Sequence, residues 1–118
     1  MADGPAPAGA GPLAGLRVLD LTLAMAGPMC TQRLAEMGAD VIKVEAPGGG
    51  DFSRAATMGG VTGFGDGICF VALNRAKRSL VVDLKRPEGR EAVLALARGA
   101  DVLVQNYRPG VAARLGVD

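Results

Sequence analysis

The chain has no histidine and no tryptophan, and its aromatic rings are limited to Phe52, Phe64, Phe70 and Tyr107. Without His, the usual general base at neutral pH and the commonest imidazole metal ligand are both missing. So few rings leave no platform for stacking single-stranded nucleic acid. Cysteine is scarce as well. Cys30 and Cys69 cannot complete a zinc site without His, and two such distant thiols are expected to be reduced core residues rather than a disulfide. No apolar run approaches the ~20 residues that a membrane span needs. The opening MADGPAPAGAGP lacks the basic and apolar regions of a signal peptide, and reads as a disordered Pro/Ala/Gly tail over residues 1–12. A cytoplasmic protein is the default expectation.

What is present suits one globular domain over residues 13–118. The 118 residues are 49% hydrophobic and 21% charged, with a net charge of only +1, so no overall field argues for nucleic acid. Charge is unevenly spread, however. Residues 1–60 hold four Lys/Arg against six Asp/Glu, and residues 61–118 hold nine against six. The densest stretch is NRAKRSLVVDLKRPEGRE, Asn74 to Glu91, where Arg75, Lys77 and Arg78 precede an aliphatic run.

Periodicity divides the chain into alternating elements. LRVLDL (16–21) is a short aliphatic strand. AGPMCTQRLAEMGAD then places Ala26, Cys30, Leu34 and Met37 on one helical face, with Pro28 in the first turn and Gly38 at the end. DVIKVE (40–45) is the next strand. Residues 46–67 read as a loop, with eight Gly among 22 residues and with Asp51, Arg54 and Asp66 in it. ICFVALN is ambiguous, and SLVVDL (79–84) is a strand. Pro87, Glu88, Glu91, Arg98 and Gly99 punctuate a helix whose buried face holds Val93, Leu96 and Ala97. DVLVQN (101–106) is a strand and RPGVAARLG a final helix. Strands alternating with helices at tight connections predict an open α/β sheet, mostly parallel.

The functional reading of these residues is open. Gly48–Gly50 follow the second strand, whereas the dinucleotide fingerprint belongs after the first, so a conventional NAD loop is not expected. Ala24, Ala26 and Gly27 suit either close helix–sheet packing or an anion at a helix N-terminus. Three cations in one turn are, taken alone, an ordinary solvated surface. Lys85, Arg86, Arg108 and Arg114, however, follow later strands. Ligands of open α/β sheets bind at the carboxyl ends of strands, so these cations together suit a polyphosphate. The Ser and Thr hydroxyls have no His to activate them. Asp20, Asp83 and Asp101 are expected to cap or pair rather than attack.

Five motifs in order, AGP after the first strand, GADVIKVE, NRAKRS, DLKRPEGR and NYRPGV, resemble the N-terminal part of the family III coenzyme A transferases. That group includes formyl-CoA transferase, carnitine CoA transferase and the 2-methylacyl-CoA racemases, and the resemblance runs from Gly11 to Gly116. It implies a Rossmann-like domain, incomplete relative to the family, that takes CoA or an acyl-CoA as substrate. No metal or prosthetic group is implied, nor a nucleic-acid or membrane partner. Carried over by position, Met25, Val82, Asp83, Leu84, Lys85, Asn106, Tyr107, Arg108 and Arg114 are the CoA-binding candidates. Lys77 and Arg78 would share the same electrostatic environment. Ala46 stands where some members place an Arg on the CoA phosphate. The family moves CoA to a carboxylate through an aspartyl-CoA intermediate. Its nucleophilic Asp is expected downstream of Asp118, as is the remainder of the interlocked homodimer, so this chain alone is expected to be inactive. A stand-alone CoA- or nucleotide-binding module is the alternative.

Overall fold

The computed structural model describes residues 10–56, 62–63 and 66–118. Four parallel strands form the main sheet: β1 (Arg17–Asp20), β2 (Asp40–Glu45), β5 (Arg78–Val81) and β6 (Val102–Val104). A short antiparallel pair, β3 (Thr62–Gly63) and β4 (Asp66–Gly67), lies in the glycine-rich segment after a single 3-10 turn at Phe52–Arg54. The helices are α1 (Ala26–Glu36), α2 (Ile68–Leu73), α3 (Pro87–Arg98) and α4 (Val111–Leu115). The ambiguous ICFVALN is therefore the helix α2. Most of the expected tail lies outside the described residues.

The main sheet runs in the order β5-β2-β1-β6. The chain builds outward from β1 through β2 to β5, then returns to the other side of β1 with β6. This reversal makes a crevice between the carboxyl ends of β1 and β6, the place where such sheets bind ligands. The expected open α/β architecture is the one observed.

Residues paired in register share a face, and the two faces differ in chemistry. Leu19, Leu21, Ile42 and Val44 pack with Val93 of α3 and Val117 in an apolar cluster. Leu96 and Ala97 lie against it, in keeping with the helical periodicity. The opposite face begins as apolar, with Val18 and Val41 against Ala35 and Ala39. Towards the carboxyl ends it becomes ionic, because Asp20, Lys43 and Glu45 follow at alternate positions and all three are buried.

That ionic face explains why apolar periodicity misplaces the buried side of α1. Periodicity puts Ala26, Cys30, Leu34 and Met37 inside. Instead Gly27, Pro28, Thr31, Gln32 and Ala35 are buried, while Ala26, Cys30 and Met37 are exposed. Gly27 must be small, since a Cβ there would lie 2.5 Å from Thr22 Cβ. Thr31 must be polar, because its hydroxyl donates to Asp20 Oδ2 at 2.7 Å. An apolar period cannot find a face whose neighbour is a carboxylate. No disulfide joins the cysteines, but Cys30 is a surface residue rather than a core one.

Both edge strands are poorly covered. Val81 is 62% exposed on one edge, and Val102 and Leu103 are 40% exposed on the other.

Candidate functional site

Four side chains on the ionic face form linked pairs. Asp20, at the end of β1, accepts from the backbone N–H and hydroxyl of Thr22 through Oδ1. Its Oδ2 accepts from Thr31 and from Lys77 Nζ, the latter at 3.0 Å. Lys43 Nζ donates to Thr22 O at 2.9 Å and faces Asp51 Oδ2 at 3.0 Å. Asp51 Oδ1 accepts from the N–H and hydroxyl of Ser53, which holds the 3-10 turn. Further along, Glu45 receives a two-point grip from Arg54, at 2.7 Å on each oxygen, along with Asp51 N–H and the Ser79 hydroxyl. Burial alone would raise the Glu45 pKa, but these four donors outweigh it and hold the carboxyl at about 2. Arg54 also pairs with Asp66 at 3.1 Å and lies 3.8 Å over the Phe70 ring. Arg54, Asp51 and Asp66 thus anchor the glycine-rich segment to the sheet.

The densest cation cluster of the sequence is structural. The Lys77 ammonium has three donors, and they go to Asp20, to Pro28 O at 3.0 Å and to Asn74 Oδ1 at 2.8 Å. Burial pushes its pKa down, opposed by the Asp20 charge. Arg78 donates twice to Asp40 at the amino end of the sheet, and Arg75 pairs with Glu36. All three cations are thus held by carboxylates, Lys77 in the buried network and Arg75 and Arg78 at the surface.

The other candidates divide along the carboxyl edge of the sheet. Val82 N–H donates to Glu45 O at 2.9 Å, and Asp83 Oδ1 caps Lys85 N–H at 2.9 Å. The first turn of α3 lies directly on this segment, since a Cβ on Gly89 would come within 2.0 Å of Asp83 O. Three strands away, Asn106 and Tyr107 follow β6. With ~4.8 Å between strands, the β5 and β6 ends stand ~14 Å apart. Val82, Leu84 and Tyr107 nevertheless pack against the same apolar cluster, so one core supports both groups. Burial raises the Tyr107 pKa, and the charge of Asp20 adds to the effect.

Met25 is 53% exposed at the start of α1. Lys85, Arg108 and Arg114 are exposed, and among the described residues none of them is in an ion pair. Asn106 is differently placed. Its Oδ1 accepts from Leu23 N–H at 2.9 Å and its Nδ2 donates to Leu23 O at 2.8 Å, tying the β6 end to the β1–α1 loop. Ala46 is exposed beside Gly48–Gly50, in an open pocket of about 220 Å³ that Arg54 and Val81 also line. At the opposite end of the sheet an open cavity of about 560 Å³ is lined by Arg17, Asp40, Arg78 and Asp101, between Gly15, Gly38 and Gly99.

The family model described as CoA-transferase family III matches residues 13–118. This chain belongs to that family. It is 50% identical over 104 residues to the formyl-CoA:oxalate CoA-transferase of Rhodopseudomonas palustris (strain TIE-1), covering 88% of this chain and 24% of that one. An acyl-CoA transferase of Fusarium pseudograminearum is 44% identical over 113 residues, 91% of this chain and 25% of its own. Among solved structures, a CAIB/BAIF family protein from Brucella suis superimposes with a TM-score of 0.83 at 41% identity, over 92% of this chain and 29% of that one. A hypothetical protein from Mycobacterium tuberculosis gives 0.82 at 42% identity, with the same coverage. The chain therefore spans about a quarter of the length of the curated relatives it matches. Among the described residues no helix is long and apolar enough to cross a membrane.

Proposed function

We propose that this chain forms the nucleotide-binding part of a family III CoA transferase, holding the adenosine and phosphate end of CoA or an acyl-CoA across the carboxyl edge of the sheet. The observation that carries this reading is the reversal of strand order at β1 and β6, and the exposed Met25 and Arg108 follow those two strands in the chain. Val82 to Lys85 and Tyr107 supply the surface for the adenine and ribose. Lys85, Arg108 and Arg114 supply the phosphate charge, being exposed cations that enter no ion pair among the described residues. Ala46 contributes nothing to that grip.

The full reaction moves CoA between an acyl-CoA and a carboxylic acid through an aspartyl intermediate, as the family implies. No described carboxylate is assigned to that step here. Asp20 and Asp51 are buried and paired with Lys77 and Lys43 respectively. The chain's own contribution is binding and orientation, in the cytoplasm, within an assembly of two copies as in the family.

Calorimetric titration of CoA, dephospho-CoA and NAD into the purified chain tests the proposal. CoA is expected to bind, dephospho-CoA more weakly, and NAD not at all. Arg114→Ala is expected to weaken CoA by about tenfold, roughly one charged hydrogen bond. Arg17→Ala, at the far end of the sheet, leaves affinity unchanged. No heat with CoA at millimolar concentration overturns the reading.

A further inference from the structure

The β1–α1 loop is held in an unusual way. All four backbone polar groups of Thr22 and Leu23 are bonded to side chains, from the end of β1, from β2 and from the segment after β6. Thr22 N–H goes to Asp20 and Thr22 O receives Lys43, while Leu23 N–H and C=O both go to Asn106. The next residue, Ala24, adopts φ +71°, in the left-handed region that costs a non-glycine residue ~1 kcal/mol or more. Such a conformation persists only where its surroundings over-determine it. Met25 and the start of α1 follow at once, so the loop sets where both stand.

We infer that Asn106 is a positioning residue, whose carboxamide fixes the β1–α1 loop in its strained form and so sets the geometry that Met25 and the α1 N-terminus present to the ligand. A carboxamide offers one acceptor and one donor side by side, matching the N–H and C=O of a single residue. An ionised Asp offers no donor and cannot do this. Gly27 is the independent sign that the fit is built in. A Cβ there would lie 3.0 Å from Asn106 Nδ2 as well as 2.5 Å from Thr22 Cβ, so the helix leaves room for the amide. The position that the family resemblance suggested as a CoA contact therefore acts through Leu23. Prefixing the loop removes ordering cost that binding would otherwise carry.

The ligand arm of this inference rests on the CoA reading, and the loop arm does not. Amide hydrogen exchange, resolved by NMR on the 118-residue chain, reads the loop directly. Leu23 N–H is expected to be protected in the unaltered chain, and a rate typical of an open loop overturns the inference without any variant. Asn106→Ala is expected to speed Leu23 exchange by about tenfold while Val18 and Leu19 keep their rates, and to weaken CoA by about tenfold. If Leu23 is released and CoA affinity does not change, the loop does not position the ligand and the inference fails. If CoA weakens with Leu23 still protected, Asn106 touches CoA directly and the inference again fails. An unaltered chain that binds no CoA overturns the CoA reading, and Leu23 exchange alone then decides whether the clamp exists.

Discussion

The two faces of one four-stranded sheet are stabilised by different physics. Under α3, Leu19, Ile42 and Val44 exclude water and meet Val93. Under α1, the matching positions in the same strands hold Asp20, Lys43 and Glu45, buried to the same degree. The apolar face tolerates small losses of volume. The ionic face cannot lose one partner without leaving a buried charge, and a lone charge in low dielectric is far more costly than a small cavity. The ionic face is also the one that reaches the crevice. Its ends hold Thr22, the glycine-rich segment and, through them, the loop before α1. A sheet that were apolar on both faces would fold at least as readily, but it would not fix those loops.

Three measurements bear on this contrast. The largest effect is expected from Lys77→Met, which strips Asp20 of its ion pair in a site where the Lys side chain is 2% exposed. A loss of about 3–5 kcal/mol in urea unfolding is predicted. A loss under about 1 kcal/mol would mean that water reaches Asp20, and the contrast between faces would collapse.

Acid comes next. Glu45 is held at about 2 against an ordinary 4.5, so its folded-state pKa is depressed. The stability it contributes is then fully present above pH 4.5 and drains away as pH falls towards 2, amounting to about 3 kcal/mol. Unfolding followed from pH 7 to pH 2 should show that slope, and Glu45→Gln should flatten it. An equally steep slope in the Gln variant would assign the acid sensitivity to other carboxylates.

The smallest effect belongs to the apolar face. Val93 is fully buried, and Val93→Ala is expected to cost about 2 kcal/mol, by the same amount at pH 7 and at pH 4. A pH-dependent loss there would show that the two faces are coupled.

Much of the fold is legible in the amino-acid pattern alone. The alternation of elements, the Pro87 start of α3 and its Val93 face follow from local pattern, because each depends on residues within a few turns of one another. The ionic face does not. Lys77 meets Asp20 across 57 positions, and Asn106 meets Leu23 across 83. In the sequence, Lys77 looks like one more surface cation beside Arg75 and Arg78. Only its burial separates a structural ion pair from a solvated turn. The candidate site is legible in part for the same reason. Lys85, Arg108 and Arg114 follow their strands and are exposed, whereas Asn106 is committed to the backbone of a loop that no local pattern places beside it.

We propose a division of labour, in which the carboxyl edge of the sheet receives CoA while the buried cations serve the fold. Backbone NMR shifts followed during a CoA titration test it most directly. Changes are predicted at Leu23 to Met25, Val82 to Lys85, Asn106 to Arg108 and Arg114, with Arg17, Asp40, Arg78 and Asp101 unmoved. Shifts concentrated on those four residues, in the cavity at the amino end, would contradict it.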